Sequence, residues 1–190
     1  MSVTINGNGT ITGYEPVANG SITAAKLASG VGGKVLQVVQ TPFTGTDSQS
    51  VSSGGNWVPT NPKCSITPAS ATNKILVQAN ITAALAQNTH GMYLTVLKAG
   101  NPLFVGDVDG SNMERVSVGT FSYNDYNFGT FFFNYLDTAG SAGSAIEYSI
   151  RLSHDSGSST TIYLNRTEAT DNVDDRKRGA SSIVLTELSA

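Results

Sequence analysis

From residue 34 onward the chain is a succession of short apolar runs rich in β-branched and aromatic residues, cut repeatedly by Gly, Ser, Asn and Pro, with no amphipathic helical stretch of useful length. Val35, Leu36, Val38 and Val39 open the first run, which stops at Thr41 and Pro42. A longer run covers 73–82, and others follow at 92–98, 113–123, 130–135, 146–153, 160–165 and 182–188. Turn-forming residues separate them at 99–102, 109–112, 139–144 and 156–159. Roughly eight to ten strands at this spacing predict an all-β chain, an antiparallel jelly-roll-like sandwich over 34–190. Helical enzyme folds are not expected from the same pattern.

Two strands differ in how they meet water. Tyr148, Ile150 and Leu152 alternate with Ser149, Arg151 and Ser153, which predicts one dry and one wet face. In 130–136, by contrast, Phe131, Phe132 and Phe133 follow one another and Tyr135 and Leu136 come after, so large apolar groups fall on both faces of one strand. One face can enter the sandwich. The other needs a helix, which the sequence lacks, or a neighbouring subunit. With Tyr123, Tyr126 and Phe128 upstream, Phe131, Phe132, Phe133 and Tyr135 are expected at an oligomer seam; the alternative is that every ring fits one subunit's own core.

Residues 1–33 scatter their apolar groups among Asn-Gly pairs and cannot offset the entropy of ordering alone. Asn8-Gly9-Thr10-Ile11-Thr12 returns as Asn19-Gly20-Ser21-Ile22-Thr23, each copy joining a turn to a β-branched pair. A capped helical turn is expected at 23–28, and 30–33 reads as a hinge. This segment is expected to be a short extended attachment piece anchored by Ile5, Ile11, Ile22 and Leu27 on a surface outside itself, most simply that of identical chains. A disordered leader is the other reading. No secretory or membrane-spanning apolar run is visible near the N-terminus.

Composition narrows the chemistry. Gly, Ser, Thr and Asn supply 78 of 190 residues and charged residues only 13%, so the surface is built from hydroxyls and amides. A net charge of -3 argues against nucleic acid and anionic membrane as partners. The lone Cys64 excludes an internal disulfide, and His90 and His154 lack paired-ligand spacing, so neither a metal nor a cofactor is expected. His154-Asp155-Ser156 imitates a catalytic trio, but neighbours on an extended strand point to opposite faces. Asp107-Val108-Asp109-Gly110-Ser111-Asn112 begins like a calcium loop, yet Val118 stands where the bidentate glutamate belongs; a hairpin tip is the plainer reading. Gly7, Gly9 and Gly13 do not make a dinucleotide fingerprint. Asp171, Asp174 and Asp175 with Arg176, Lys177 and Arg178 balance as a solvated loop. No catalytic residue is expected.

Thr4-Ile5-Asn6-Gly7-Asn8-Gly9-Thr10-Ile11-Thr12-Gly13, then 19–30, then Gly33-Lys34-Val35-Leu36-Gln37-Val38-Val39-Gln40, resemble the way tailed-bacteriophage fibre proteins enter their distal domain. Ser65-Ile66-Thr67-Pro68 and Asn73-Lys74-Ile75-Leu76-Val77 are similar to that domain's early strands, and 161–166 with 178–188 to its closing ones. The resemblance implies a homotrimeric virion surface protein, assembled in the host cytoplasm, with an N-terminal part attached to other virion proteins and a β-sandwich head. It implies a short tail fibre or adhesion module, or alternatively a capsid decoration protein or head fibre, because this chain has almost no shaft. A carbohydrate-active enzyme is a third reading without specific support. Loops carrying Asp107, Asp109, Asn112 and Ser156 are the expected contacts for a host surface glycan.

Overall fold

The computed structural model describes residues 4–5, 11–12, 35–86, 90–108, 110, 114–122, 127–168 and 177–190. Contacts divide the chain into two units, Met1–Gly33 and Lys34–Ala190. In the first, β1 (Thr4–Ile5) pairs antiparallel with β2 (Ile11–Thr12), setting Ile5 opposite Ile11. Ile22, Leu27 and the helical turn expected at 23–28 lie outside the described residues.

The second unit holds β3 (Val35–Phe43), β4 (Asp47–Val51), β5 (Asn56–Trp57), β6 (Cys64–Ile66), β7 (Lys74–Leu85), β8 (His90–Lys98), β9 (Asn101–Leu103), β10 (Val118–Ser122), β11 (Gly129–Thr138), β12 (Ile146–His154), β13 (Thr160–Leu164) and β14 (Ser181–Leu188). They form two six-stranded sheets, and every pairing is antiparallel. In the β7 sheet, β14 pairs with 74–80 of β7 and β13 with 83–85, both opposite the side taken by β11. β13 and β14 therefore lie end to end, and β4 and β3 run beside them. In the β8 sheet, β9 and β10 lie end to end on one side of β8, and β5 and β6 on the far side of β12. Reading each end-to-end pair as one strand, the orders are β3/4–β13/14–β7–β11 and β5/6–β12–β8–β9/10. The chain crosses between sheets as a double-sheet jelly roll does. The expected all-β sandwich is thus the observed fold.

Period-two alternation builds the core. Ile75, Val77, Ala79 and Ile81 of β7, Ile183 and Leu185 of β14, and Phe131 and Phe133 of β11 face Met92, Leu94 and Val96 of β8 and Tyr148, Ile150 and Leu152 of β12, all buried. Each Val, Leu, Ile, Met or Phe side chain among them contributes about 1.5–3 kcal/mol when removed from water. Ala99 and Gly100, both at positive φ (47° and 80°), make the two-residue turn between β8 and β9, with Lys98 opposite Asn101. Pro42 sits inside β3 rather than ending it. β3 is an edge strand bonded on one side to β14, so the missing N–H leaves no ladder bond unmade.

Buried polar groups tie the ends of this sandwich. Asn165 is fully buried at φ 58°; its Nδ2 donates to the carbonyls of Phe43 (2.8 Å) and Gly45 (2.9 Å), and its Oδ1 accepts from Ser181 Oγ (2.6 Å). Glu187 accepts from Asn73 Nδ2 (2.6 Å), Gln37 Nε2 (2.6 Å) and the Ala69 N–H (2.8 Å), joining β3, β14 and the turn before β7. At the open side between β9 and β11, Phe104 stacks on Tyr135 with ring centroids 4.6 Å apart.

Candidate functional site

The strand registers gather a nearly uncharged patch on the outer side of the β7 sheet and several ion pairs on that of the β8 sheet. Outward residues of the β7 sheet align across strands in rows: Phe132–Asn80–Ser182–Pro42, Asn134–Gln78–Val184–Gln40, Leu136–Leu76–Thr186–Val38 and Thr138–Lys74–Leu188–Val35. Lys74 is the one charged side chain in these rows, and its Nζ donates to Thr138 Oγ1 (2.7 Å). Gln78 Nε2 donates to Asn134 Oδ1 at 3.0 Å, so neighbouring amides satisfy each other within the face. Around them Phe132 (66% exposed), Val38 (60%), Val35 (53%) and Leu136 (50%) stand open. A shallow depression lies between Phe132, Asn80, Ser182 and Val184.

The seam residues expected from the aromatic run divide by parity. Phe131 and Phe133 are buried in the chain's own core, and Tyr135 packs under Phe104, so these three rings are taken up inside one subunit. Of that expected set only Phe132 is left outward. Leu136, Val35 and Val38 extend the patch, and the run 130–136 could have shown Leu136 by parity alone.

On the outer side of the β8 sheet Thr95, Leu97, Ser149 and Ser153 are buried, so the wet face expected at Ser149 and Ser153 is covered by other parts of the chain, and charged groups stand around it. Lys63 pairs with Glu147 (3.3 Å) and Arg151 with Glu114 (3.2 Å), and His90 Nδ1 lies 3.3 Å from Asp155 Oδ1. Asp155 also accepts from the Gly91 N–H (2.8 Å) and the Tyr93 hydroxyl (3.0 Å). Tyr93, Glu114, Val116, His154 and Asp155 line a cavity of about 360 Å³. Burial first, and then the hydrogen bond to Asp155 and its charge, raise the Tyr93 phenol above its ordinary value. Nothing in the sequence brought these residues together, because β8, β12 and the segment before β10 meet only through long-range pairing.

The apparent trio 154–156 separates as the extended backbone requires. His154 is buried, with Nε2 3.2 Å from the Val51 carbonyl and Nδ1 accepting from the Ser156 N–H (3.1 Å), while Asp155 faces outward toward Tyr93. Ser156, expected in an exposed ligand loop, is buried, and its hydroxyl lies 3.4 Å from that of Ser158. The local turn geometry takes it up, so it does not reach solvent as a ligand contact. Asp107 is exposed, its Oδ1 accepting from the Val108 N–H (2.7 Å); Asp109 and Asn112 lie outside the described residues. The charged run 171–178 is described only at Lys177 and Arg178, both exposed. Cys64 is buried as a free thiol. Among the described residues no group of three or more His, Cys, Asp or Glu could hold a metal ion, and no helix is long and apolar enough to cross a membrane.

A third polar cluster is structural. Asp137 Oδ2 accepts from Tyr148 Oη and Lys98 Nζ, each at 2.7 Å, and Lys98 Nζ also donates to the Thr138 carbonyl (2.6 Å). Burial, followed by the Asp137 hydrogen bond and charge, drives the Tyr148 phenol far above the usual tyrosine range.

No protein-family model and no curated protein matches the sequence. Among solved structures the chain is similar to one of infectious bursal disease virus Gx strain, at 12% identity and TM-score 0.41, covering 81% of this chain and 37% of that one. It is also similar to one of the Gt strain, at 11% identity and TM-score 0.40, covering 82% and 40%. The chain therefore spans about two fifths of the length of the structures it matches, and a likeness of this degree carries no functional argument.

Proposed function

We propose that this chain is a non-enzymatic structural protein of a bacteriophage virion. In this reading it is a homotrimer, attached to other virion proteins through residues 1–33 and exposing its sandwich for contact with the host surface as a short tail fibre or adhesion module. The fibre-like motifs of the sequence supply the virion context. The observation that carries the assembly is the patch of four rows across β11, β7, β14 and β3, which holds the single charge Lys74 and where Phe132, Leu136 and Val38 stand in water. Apolar patches on sheet faces mark interaction sites. The occupants are further copies of the same chain: with Lys74 as the one charge in the four rows, three such patches gathered about a three-fold axis bury no unpaired ion against one another. β3 (Val35–Phe43), which contributes Val35 and Val38, is the first strand after residues 1–33 in sequence.

Electron microscopy of particles labelled with antibody to the sandwich tests this. Label at tail ends is expected, and particles produced with Phe132→Asp should lose it. Label spread over the shell makes the protein a capsid decoration protein instead, and unlabelled wild-type particles contradict a virion role.

A further inference from the structure

On the outer side of the β8 sheet, one side chain is set unlike its neighbours. Tyr93 stands opposite Gly119 on β10 and two residues from Gly91 on its own strand. A Cβ at Gly91 would lie 2.6 Å from the Tyr93 hydroxyl, and a Cβ at Gly119 would lie 3.2 Å from the ring. The phenol ring therefore occupies the space where two side chains would otherwise stand, lying down along the sheet. Asp155 holds its hydroxyl, and the Gly91 N–H holds Asp155 in turn. The result is a pinned aromatic tile beside a cavity of about 360 Å³, with the carboxylates of Asp155 and Glu114 at its border, 47% and 37% exposed.

We propose that this cavity is a binding site for a neutral, polyhydroxylated ligand, the pyranose unit of an uncharged glycan. The chemistry is selective in three ways. The face of an aromatic ring is negative and attracts the weakly positive C–H bonds of a sugar's apolar side. Exposed carboxylates accept from adjacent hydroxyls, and each keeps acceptor capacity beyond the bonds it already makes. Glu114 is paired with Arg151 (3.2 Å), so discrimination against sialylated, uronic or phosphorylated ligands falls to Asp155. A small number of placed polar groups around an apolar floor is the usual composition of a small-molecule site. The inference rests on the surface-binding role proposed above, and it moves that role from the expected loops to the outer face of the β8 sheet.

The test is binding of the intact protein to a printed panel of neutral and anionic oligosaccharides, followed by titration of the best neutral probe. Neutral probes are expected to bind and anionic ones not. Tyr93→Ala should weaken the titrated affinity by about tenfold or more. Tyr93→Phe keeps the ring and should stay within about threefold of wild type, which separates stacking from a structural effect of the hydroxyl. Gly119→Val, which displaces the ring, should behave as Tyr93→Ala does, with oligomer mass and melting temperature recorded for each variant. No neutral probe bound, preference for anionic probes, or unchanged affinity in Tyr93→Ala each overturns the site. These outcomes leave the assembly reading standing, because that reading is measured by mass and not by glycan binding.

Discussion

Asn165 and Glu187 show how single residues hold a hydroxyl-rich chain in one register. Asn165 caps the end of β13 in the left-handed region that Asn tolerates better than most residues, and both its donor bonds and its acceptor are used inside the protein. Replacing it with Ala takes a donor from the half-buried Phe43 and exposed Gly45 carbonyls and an acceptor from the buried Ser181 hydroxyl, with an expected loss of about 1–2 kcal/mol in urea unfolding. Glu187 is a buried carboxylate whose bonds among the described residues come from amide and backbone donors. Burial opposes its ionisation, but hydrogen bonds from Asn73, Gln37 and the backbone N–H groups of Ala69 and Ser70 outweigh burial and hold it below the ordinary carboxylate range. A carboxyl with a lowered folded-state value stabilises fully above its unfolded value of 4.5 and loses that contribution as pH falls through the folded value. Glu187→Gln turns a donor toward the donors that now meet an acceptor. It should destabilise by about 2 kcal/mol at pH 7, with the gap to wild type narrowing below about pH 4.5 in a denaturation series. Neither role could be read from the sequence, where Asn165 looks like one more turn residue and Glu187 like an exposed position near the end of a strand.

At the scale of elements, β11 carries two functions on two faces. Phe131 and Phe133 fill the core, whereas Phe132 and Leu136 face away from it. Phe131→Ala should cost about 3–5 kcal/mol in chemical unfolding. Phe132→Ser should stay within about 0.5 kcal/mol when unfolding is measured on the isolated chain at high dilution, where association contributes nothing. Equal losses for the two would show that both rings serve the core. The apolar runs that became β7, β11, β13 and β14 were legible because their alternation reports burial; those of β8 and β12 were legible as strands, but Thr95, Ser149 and Ser153 are buried against their parity. β4 was not, since Asp47–Val51 is a polar edge segment recognised only by its pairing with β13. β9 read as turn because Asn101 and Pro102 follow a two-residue hairpin, yet Pro102 is tolerated at the sheet edge beside β8. Parity, applied strictly to 130–136, separates the seam from the core; counting aromatics alone merges them.

For the whole molecule, the sandwich was predictable from strand number and spacing, while the nearly uncharged patch on one sheet and the ion pairs on the other emerged only once the strands were in order. Sequence neighbours such as Glu147 and Arg151 alternate with core residues and say nothing about their partners Lys63 and Glu114, which arrive from distant segments. The same ordering gathers Leu136, Leu76, Thr186 and Val38 into one row from strands separated by up to 148 positions, 186 less 38. Such a row carries the central claim, that copies of this chain cover one another's β7 sheet. Mass by light scattering at micromolar concentration tests it most directly. Wild type is predicted at three times 19.8 kDa and Phe132→Asp at 19.8 kDa with its melting still cooperative; wild type at 19.8 kDa contradicts the account.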